Sequence, residues 1–219
     1  MPILFVQHWD VMPGKFEEYV SFITREYIPG LDSMGVRLVG GYFVKIGEGP
    51  RIHAVATVDE ADNLRRTISS REFLNISAKL HNYVWKYASK VYIPSGRIQE
   101  GPYVIQAGVW KFNHYYNILP GMGDEHLKYV KEECVPVMEE LKIPITGGWR
   151  LIIGSGPRML GESTASSIVA IAEAVDTSLY RNLVKTLKNK YVTDYSTRVL
   201  CPTGRVEVPY LVNEMMKHF

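Results

Sequence analysis

The chain has 219 residues, 46% of them apolar and 22% charged, a balance that excludes a disordered chain and allows a core without disulfides or metal. Its 25 basic and 23 acidic residues leave a net charge of +2, too small to suggest a nucleic-acid-binding surface. Two cysteines, Cys134 and Cys201, make no disulfide framework and read as reduced thiols of a cytoplasmic protein; no apolar run approaches the ~20 residues of a bilayer span.

Ile3 to Val11 alternates around a β-rich core and stops at Pro13-Gly14, a break. Phe16, Tyr19, Val20, Ile23 and Tyr27 then recur at helical spacing, and Pro29-Gly30 is expected to end that helix. Strands over Gly41 to Ile46 and Ile52 to Val58 flank Gly47-Glu48-Gly49-Pro50, a hairpin turn. A second helix follows Asp59, and a last strand covers Tyr87 to Ile93. The whole order then recurs. GGYFVKIGEGPRI at 40–52 matches GGWRLIIGSGPRM at 147–159, an offset of 107, and YASKVYIPSGRI at 87–98 matches YSTRVLCPTGRV at 195–206. The second copy reads with two insertions: a loop after Trp110 (KFNHYYNIL), aligned on Trp9, and LGESTASS after Arg158. Its next strand is placed at Ile168 to Ala174, its following helix near Thr177, and its own helix is expected to stop at Pro136.

Each copy is βαββαβ, the ferredoxin-like order, which leaves one sheet face uncovered. Leu4, Val6 and His8 share one side of the first strand, and Phe5, Gln7 and Trp9 the other. The second copy is read the same way, with Ile105, Ala107 and Val109 opposite Gln106, Gly108 and Trp110. Sheets apolar on both faces need cover on both, and two of them in one chain can close a barrel with the helices outside. With its repeated GGxxxxIGxGPR and PxGR blocks, the chain resembles the dimeric α+β barrel superfamily in a fused form, nearest the NIPSNAP-like or stress-responsive barrels. The fold expected is α+β: two tandem ferredoxin-like repeats, 1–100 and 101–219, packed as a pseudo-dimeric barrel. That resemblance implies proteins ranging from cofactor-free monooxygenases and isomerases to haem binders, with ligands between sheet and helices or inside the barrel.

The cationic positions kept in both copies are Arg51/Arg158, Arg97/Arg205 and Lys90/Arg198. A carboxylate or phosphate anchor is one reading; tying turn carbonyls is the simpler one. The glycine turns precede strands and lack a P-loop lysine, which excludes a nucleotide loop. No two histidines have metal-ligand spacing. His114, in the aromatic segment after Trp110, and His126, beside Glu125, are the two placed where a site could be added. Glu173 breaks an apolar run and would need a partner or a polar cavity. The reading is a small-molecule-binding barrel, a monooxygenase- or isomerase-like enzyme for a small aromatic or carbonyl compound, without a dedicated cofactor. Its acid–base candidates are His114 and Glu173, and its binding candidates His8, Trp9, Tyr42, Trp110, Tyr115, His126 and Arg150. The alternatives are a non-catalytic oligomeric or stress-related barrel and, more remotely, haem or metal held by an unmatched histidine. Neither nucleic acid nor membrane is expected as a partner, and a homo-oligomer is compatible with the pattern.

Overall fold

The computed structural model describes residues 3–96 and 108–205. The first repeat runs β1 (Ile3–Val11), α1 (Phe16–Phe22), a π-helical turn (Ile23–Tyr27), α2 (Ile28–Ser33), β2 (Arg37–Ile46), β3 (Ile52–Val58), α3 (Ala61–Ile68), α4 (Arg71–Leu80) and β4 (Val84–Pro94). The second runs β5 (Trp110–Ile118), α5 (Gly123–Tyr129), a π-helical turn (Val130–Cys134), α6 (Val135–Glu140), β6 (Ile145–Ile153), β7 (Met159–Ala165), α7 (Ile168–Val175), α8 (Ser178–Lys190) and β8 (Val192–Pro202). The expected division at residue 100 lies outside the described residues.

The two sheets join edge to edge. Strand order around the closed barrel is β1-β3-β2-β8-β5-β7-β6-β4, so β2 pairs with β8 and β4 with β6 where the repeats meet. The fold is therefore the pseudo-dimeric α+β barrel, built by one chain, and every sheet edge is paired. Alternation sorts the side chains. Leu4, Val6, Tyr42, Val55, Tyr92, Tyr115, Trp149 and Leu200 fill the lumen, while Phe5, Trp9, Ile52 and Val58 face the first repeat's helices and Phe112, Ala165 and Val199 the second's.

Three sequence expectations are corrected. Neither Pro29 nor Pro136 ends its helix; each lies in the first turn of a continuing segment, α2 or α6, preceded by a π turn. Proline offers no N–H and crowds the carbonyl four residues back. The widened turn, in which Ile28 N–H reaches Ile23 O and Val135 N–H reaches Val130 O, lets the helix pass through. Secondly, the segment after Trp110 is no inserted loop. It is β5 itself, and β1 maps onto it at the same offset of 107, so Trp9 corresponds to Tyr116 and not to Trp110. Ile105, Gln106 and Ala107 lie outside the described residues, and Gly108 is a turn residue. Thirdly, LGESTASS is mostly β7, and Ile168–Val175 is a helix, capped by Ser167 Oγ accepting from Ala170 N–H. An eight-residue apolar run fits a buried strand or a buried helix face equally well. The Arg51 guanidinium donates to Val44 O at 3.4 Å, and the backbone N–H groups of Arg51 and Arg158 donate to Asp10 Oδ1 and Asn117 Oδ1, each at 2.7 Å.

Candidate functional site

Between the second repeat's sheet and its helices lies a cavity of about 50 Å³. Its sheet wall is His114, Tyr116, Gly161 and Ser163, and its helix wall includes Cys134, Met138, Tyr180 and Leu187. His114 faces it because odd and even positions of β5 point opposite ways: Lys111, Asn113 and Tyr115 enter the lumen, Phe112, His114 and Tyr116 the helix layer. Gly161, the cross-strand partner of His114, brings no side chain to cover the ring; a Cβ there would stand 3.8 Å from His114 Cβ.

Two polar atoms in this apolar space lack a hydrogen-bond partner, His114 Nε2 and Ser163 Oγ. The other imidazole nitrogen, Nδ1, lies 2.8 Å from the Tyr195 hydroxyl, which is 3.5 Å from that of Tyr180. Burial lowers the His114 pKa to about 4, so the ring is neutral at physiological pH. Burial also raises the Tyr195 and Tyr180 phenols, keeping both protonated. When Tyr195 donates to Nδ1, the ring proton sits on Nε2 and points a donor into the cavity; in the other tautomer Nε2 is a base. Cys134 is no nucleophile: burial, reinforced by Glu133, pushes its thiol up to about 12.

The corresponding space in the first repeat is occupied. Gln7 stands where His114 does, and Tyr27 where Cys134 does. The Gln7 amide donates to the hydroxyls of Tyr27 (2.8 Å) and Tyr87 (2.7 Å). Tyr27 is fully buried. What remains there is a smaller gap of about 30 Å³ between Trp9, Tyr19 and Arg205.

The structure disperses the sequence candidates over four places. His114 lines the cavity, and His126 sits just behind it, buried with its ring 5.4 Å from that of Tyr116. Trp110 packs half-buried at the edge of the same layer. Trp9 belongs to the first repeat's helix layer, where its Nε1–H donates to Tyr19 Oη at 3.0 Å. His8, Tyr42 and Tyr115 are in the lumen. Arg150 on β6 and Glu173 on α7 are exposed, apart from the cavity. Sequence reasoning missed Tyr180, Ser163, Gly161 and Tyr195, and it missed the buried carboxylate. That is Glu162, whose Oε2 lies 2.8 Å from Lys111 Nζ inside the lumen. Burial opposes the charge on Lys111, yet Glu162 and Tyr42 together hold its pKa above the ordinary value. Leu4 and Val55 stand at these positions in the first repeat, a contrast visible once the offset of 107 is carried through β1 and β3. Among the described residues no group of three or more His, Cys, Asp or Glu side chains could hold a metal, and no helix is long and apolar enough to cross a membrane.

No family model and no curated protein matches the chain. Solved structures do. A "putative monooxygenase" from Fusobacterium nucleatum is 11% identical, covers 92% of each chain and superposes with a TM-score of 0.61. An anthrone oxidase-like protein is 11% identical over 92% of this chain and 91% of its own, with a TM-score of 0.58. A NIPSNAP-like domain protein from Burkholderia xenovorans, 17% identical, covers 48% of this chain and 96% of its own at a TM-score of 0.37. At these identities the likeness shows the fold alone, an α+β barrel of two ferredoxin-like halves. In this chain both halves lie in one polypeptide.

Proposed function

We propose that the cavity of the second repeat binds a small, mostly apolar molecule carrying a carbonyl or phenolic oxygen, and that His114 is the acid–base group acting on it. The observation that supports this is the hollow itself: an apolar space with an unpartnered imidazole nitrogen, in the one repeat whose filling tyrosine is replaced by a cysteine. Space for a ligand comes from Cys134 and Gly161, and the polar contact from His114 and Ser163. Tyr195 donates to Nδ1 and fixes the tautomer, so Nε2–H meets the ligand oxygen and stabilises negative charge developing there. Tyr180 backs Tyr195.

Size narrows the class. A cavity of roughly 150 Å³ takes benzene, so about 50 Å³ suits a small carbonyl compound, and an aromatic ring enters only if Tyr180 or Leu187 swings aside. Tyr180 and Val184 also border a surface groove with Arg181, Lys185 and Lys188, so the proposed entry route passes this helix. The oxidase and monooxygenase descriptions of the full-length neighbours agree with small-molecule chemistry in such a barrel. The test is thermal stabilisation by a panel of small ketones and phenols. The wild type is expected to show a concentration-dependent rise in Tm with at least one compound, and His114→Ala to lose most of it. An unchanged response in His114→Ala would remove that residue from the site.

A further inference from the structure

The chain's most repeated motif, the glycine turn, plays no part in that cavity. The turns at 47–50 and 154–157 lie instead at the rim of the lumen, each against the basic residue of the opposite repeat. A Cβ on Gly49 would fall 2.8 Å from an Arg198 guanidinium nitrogen, and one on Gly47 2.8 Å from Thr197 O. Likewise a Cβ on Gly156 would fall 3.2 Å from Lys90 Nζ, and one on Gly154 3.1 Å from Ser89 O. All four glycines have positive φ, between 97° and 116°, so both the turn shape and the close approach demand glycine. The retained turns and the retained Lys90/Arg198 pair are thus one structure, made twice across the two seams of the barrel.

Among the described residues no carboxylate neutralises the charge there; the Arg198 guanidinium lies over the Tyr115 ring, 5.3 Å from its centroid. β4 and β8 stand opposite one another in the barrel, and Lys90 and Arg198 point inward from them, half-exposed at the mouth. Neither has a hydrogen bond or ion pair among the described residues, and the carboxylate in the lumen, Glu162, is engaged by Lys111. Glu48, in the turn over Arg198, is exposed and forms no ion pair there. Deeper in the lumen His8 and His53 meet edge to face with ring centroids 4.4 Å apart. Both rings are at least 97% buried, and Nδ1 of each has no partner. Two cations without a carboxylate partner, above two buried imidazoles that each carry an unpartnered ring nitrogen, match one kind of ligand, an anion.

We infer that the mouth of the barrel, between Lys90 and Arg198 under the two glycine turns, is a binding site for a small oxyanion, a phosphate or a carboxylate. The cations hold its charge, and the glycine turns let the two cations themselves lie close against backbone at the mouth. The His8/His53 pair lies below with an unpartnered Nδ1 on each ring, and burial, then Arg198 and Lys90, lowers the His8 pKa to about 3 and keeps that ring neutral.

Calorimetric and thermal-shift titrations of the full chain with inorganic phosphate and, separately, succinate, at constant ionic strength in sodium chloride, test this. One of the two is expected to raise Tm by about 5–10 °C at a hundred times its Kd, which also tells phosphate from carboxylate. Lys90→Met and Arg198→Met should each weaken binding at least tenfold. In anion-free buffer Lys90→Met should melt no lower than wild type, because it removes an unpaired cation. His114→Ala should bind the anion normally, which separates this site from the cavity. Wild type that binds neither anion in preference to chloride, or Met variants that bind as wild type does, would overturn the inference.

Discussion

In the first repeat Tyr27 fills the space between sheet and helices and hydrogen-bonds Gln7; in the second, Cys134 stands at the same step of the same π turn, and His114 faces the space left free. The backbones match element for element at a constant offset through β3 and β7. What distinguishes a packed half from a candidate site is therefore a few side chains: Tyr to Cys, Gln to His, Ala54 to Gly161 and Ala56 to Ser163. The lumen shows the reverse substitution pattern, with Leu4 and Val55 in one half becoming the buried pair Lys111 and Glu162 in the other. A duplicated scaffold keeps one copy as support and is then free to spend stability in the other.

Exchanging residues between the halves tests this comparison. The largest effect is expected in the lumen. Glu162→Val alone leaves Lys111 buried without its carboxylate, with only Tyr42 beside it, and should cost about 3–5 kcal/mol in urea unfolding. Adding Lys111→Leu, which completes the first repeat's apolar pair, should recover most of that loss. Next comes Tyr27→Cys, which copies the hollow into the first repeat and strips Gln7 of a partner; about 3 kcal/mol is expected from the same measurement.

Acid sensitivity separates the halves too. An unfolded histidine protonates near pH 6.5, whereas folded His114 resists until about pH 4 and His8 until about 3. Their contribution is complete above pH 6.5 and is lost as the pH falls, at up to about 1.4 kcal/mol per pH unit for each ring. His114→Gln, which installs the first repeat's residue, should flatten the acid limb between pH 6.5 and 4. A limb as steep as wild type would contradict the neutral, buried placement of His114. The smallest effect is a gain: Cys134→Tyr should fill about 50 Å³ and, at ~24 cal/mol per Å³, stabilise by about 1 kcal/mol.

The barrel was legible because its evidence is repetition and alternation. The matched glycine blocks and the two-sided strand Ile3–Val11 point to paired ferredoxin-like sheets with covered faces, and those features are present. The site was less legible for a physical reason. The strand Trp110–Ile118 carries Lys111 and Asn113 on its lumen face and His114 on its helix face, so the apolar alternation that marks β1 is absent and the segment reads as a loop. Reading it as a loop sets Trp9 against Trp110 and leaves Gln7 unmatched with His114, while reading LGESTASS as an insertion points to Glu173 as the carboxylate in place of Glu162. His114 was still singled out, because an unmatched histidine among aromatics remains conspicuous whatever element carries it.

The central claim is that the second repeat's hollow is a binding site, and titrating wild type and Cys134→Tyr side by side with the small ketone and phenol panel tests it most directly. A ligand-dependent rise in Tm is expected for wild type and none for Cys134→Tyr, although the variant starts from the higher melting point. Equal rises in both proteins would place the ligand elsewhere and contradict it.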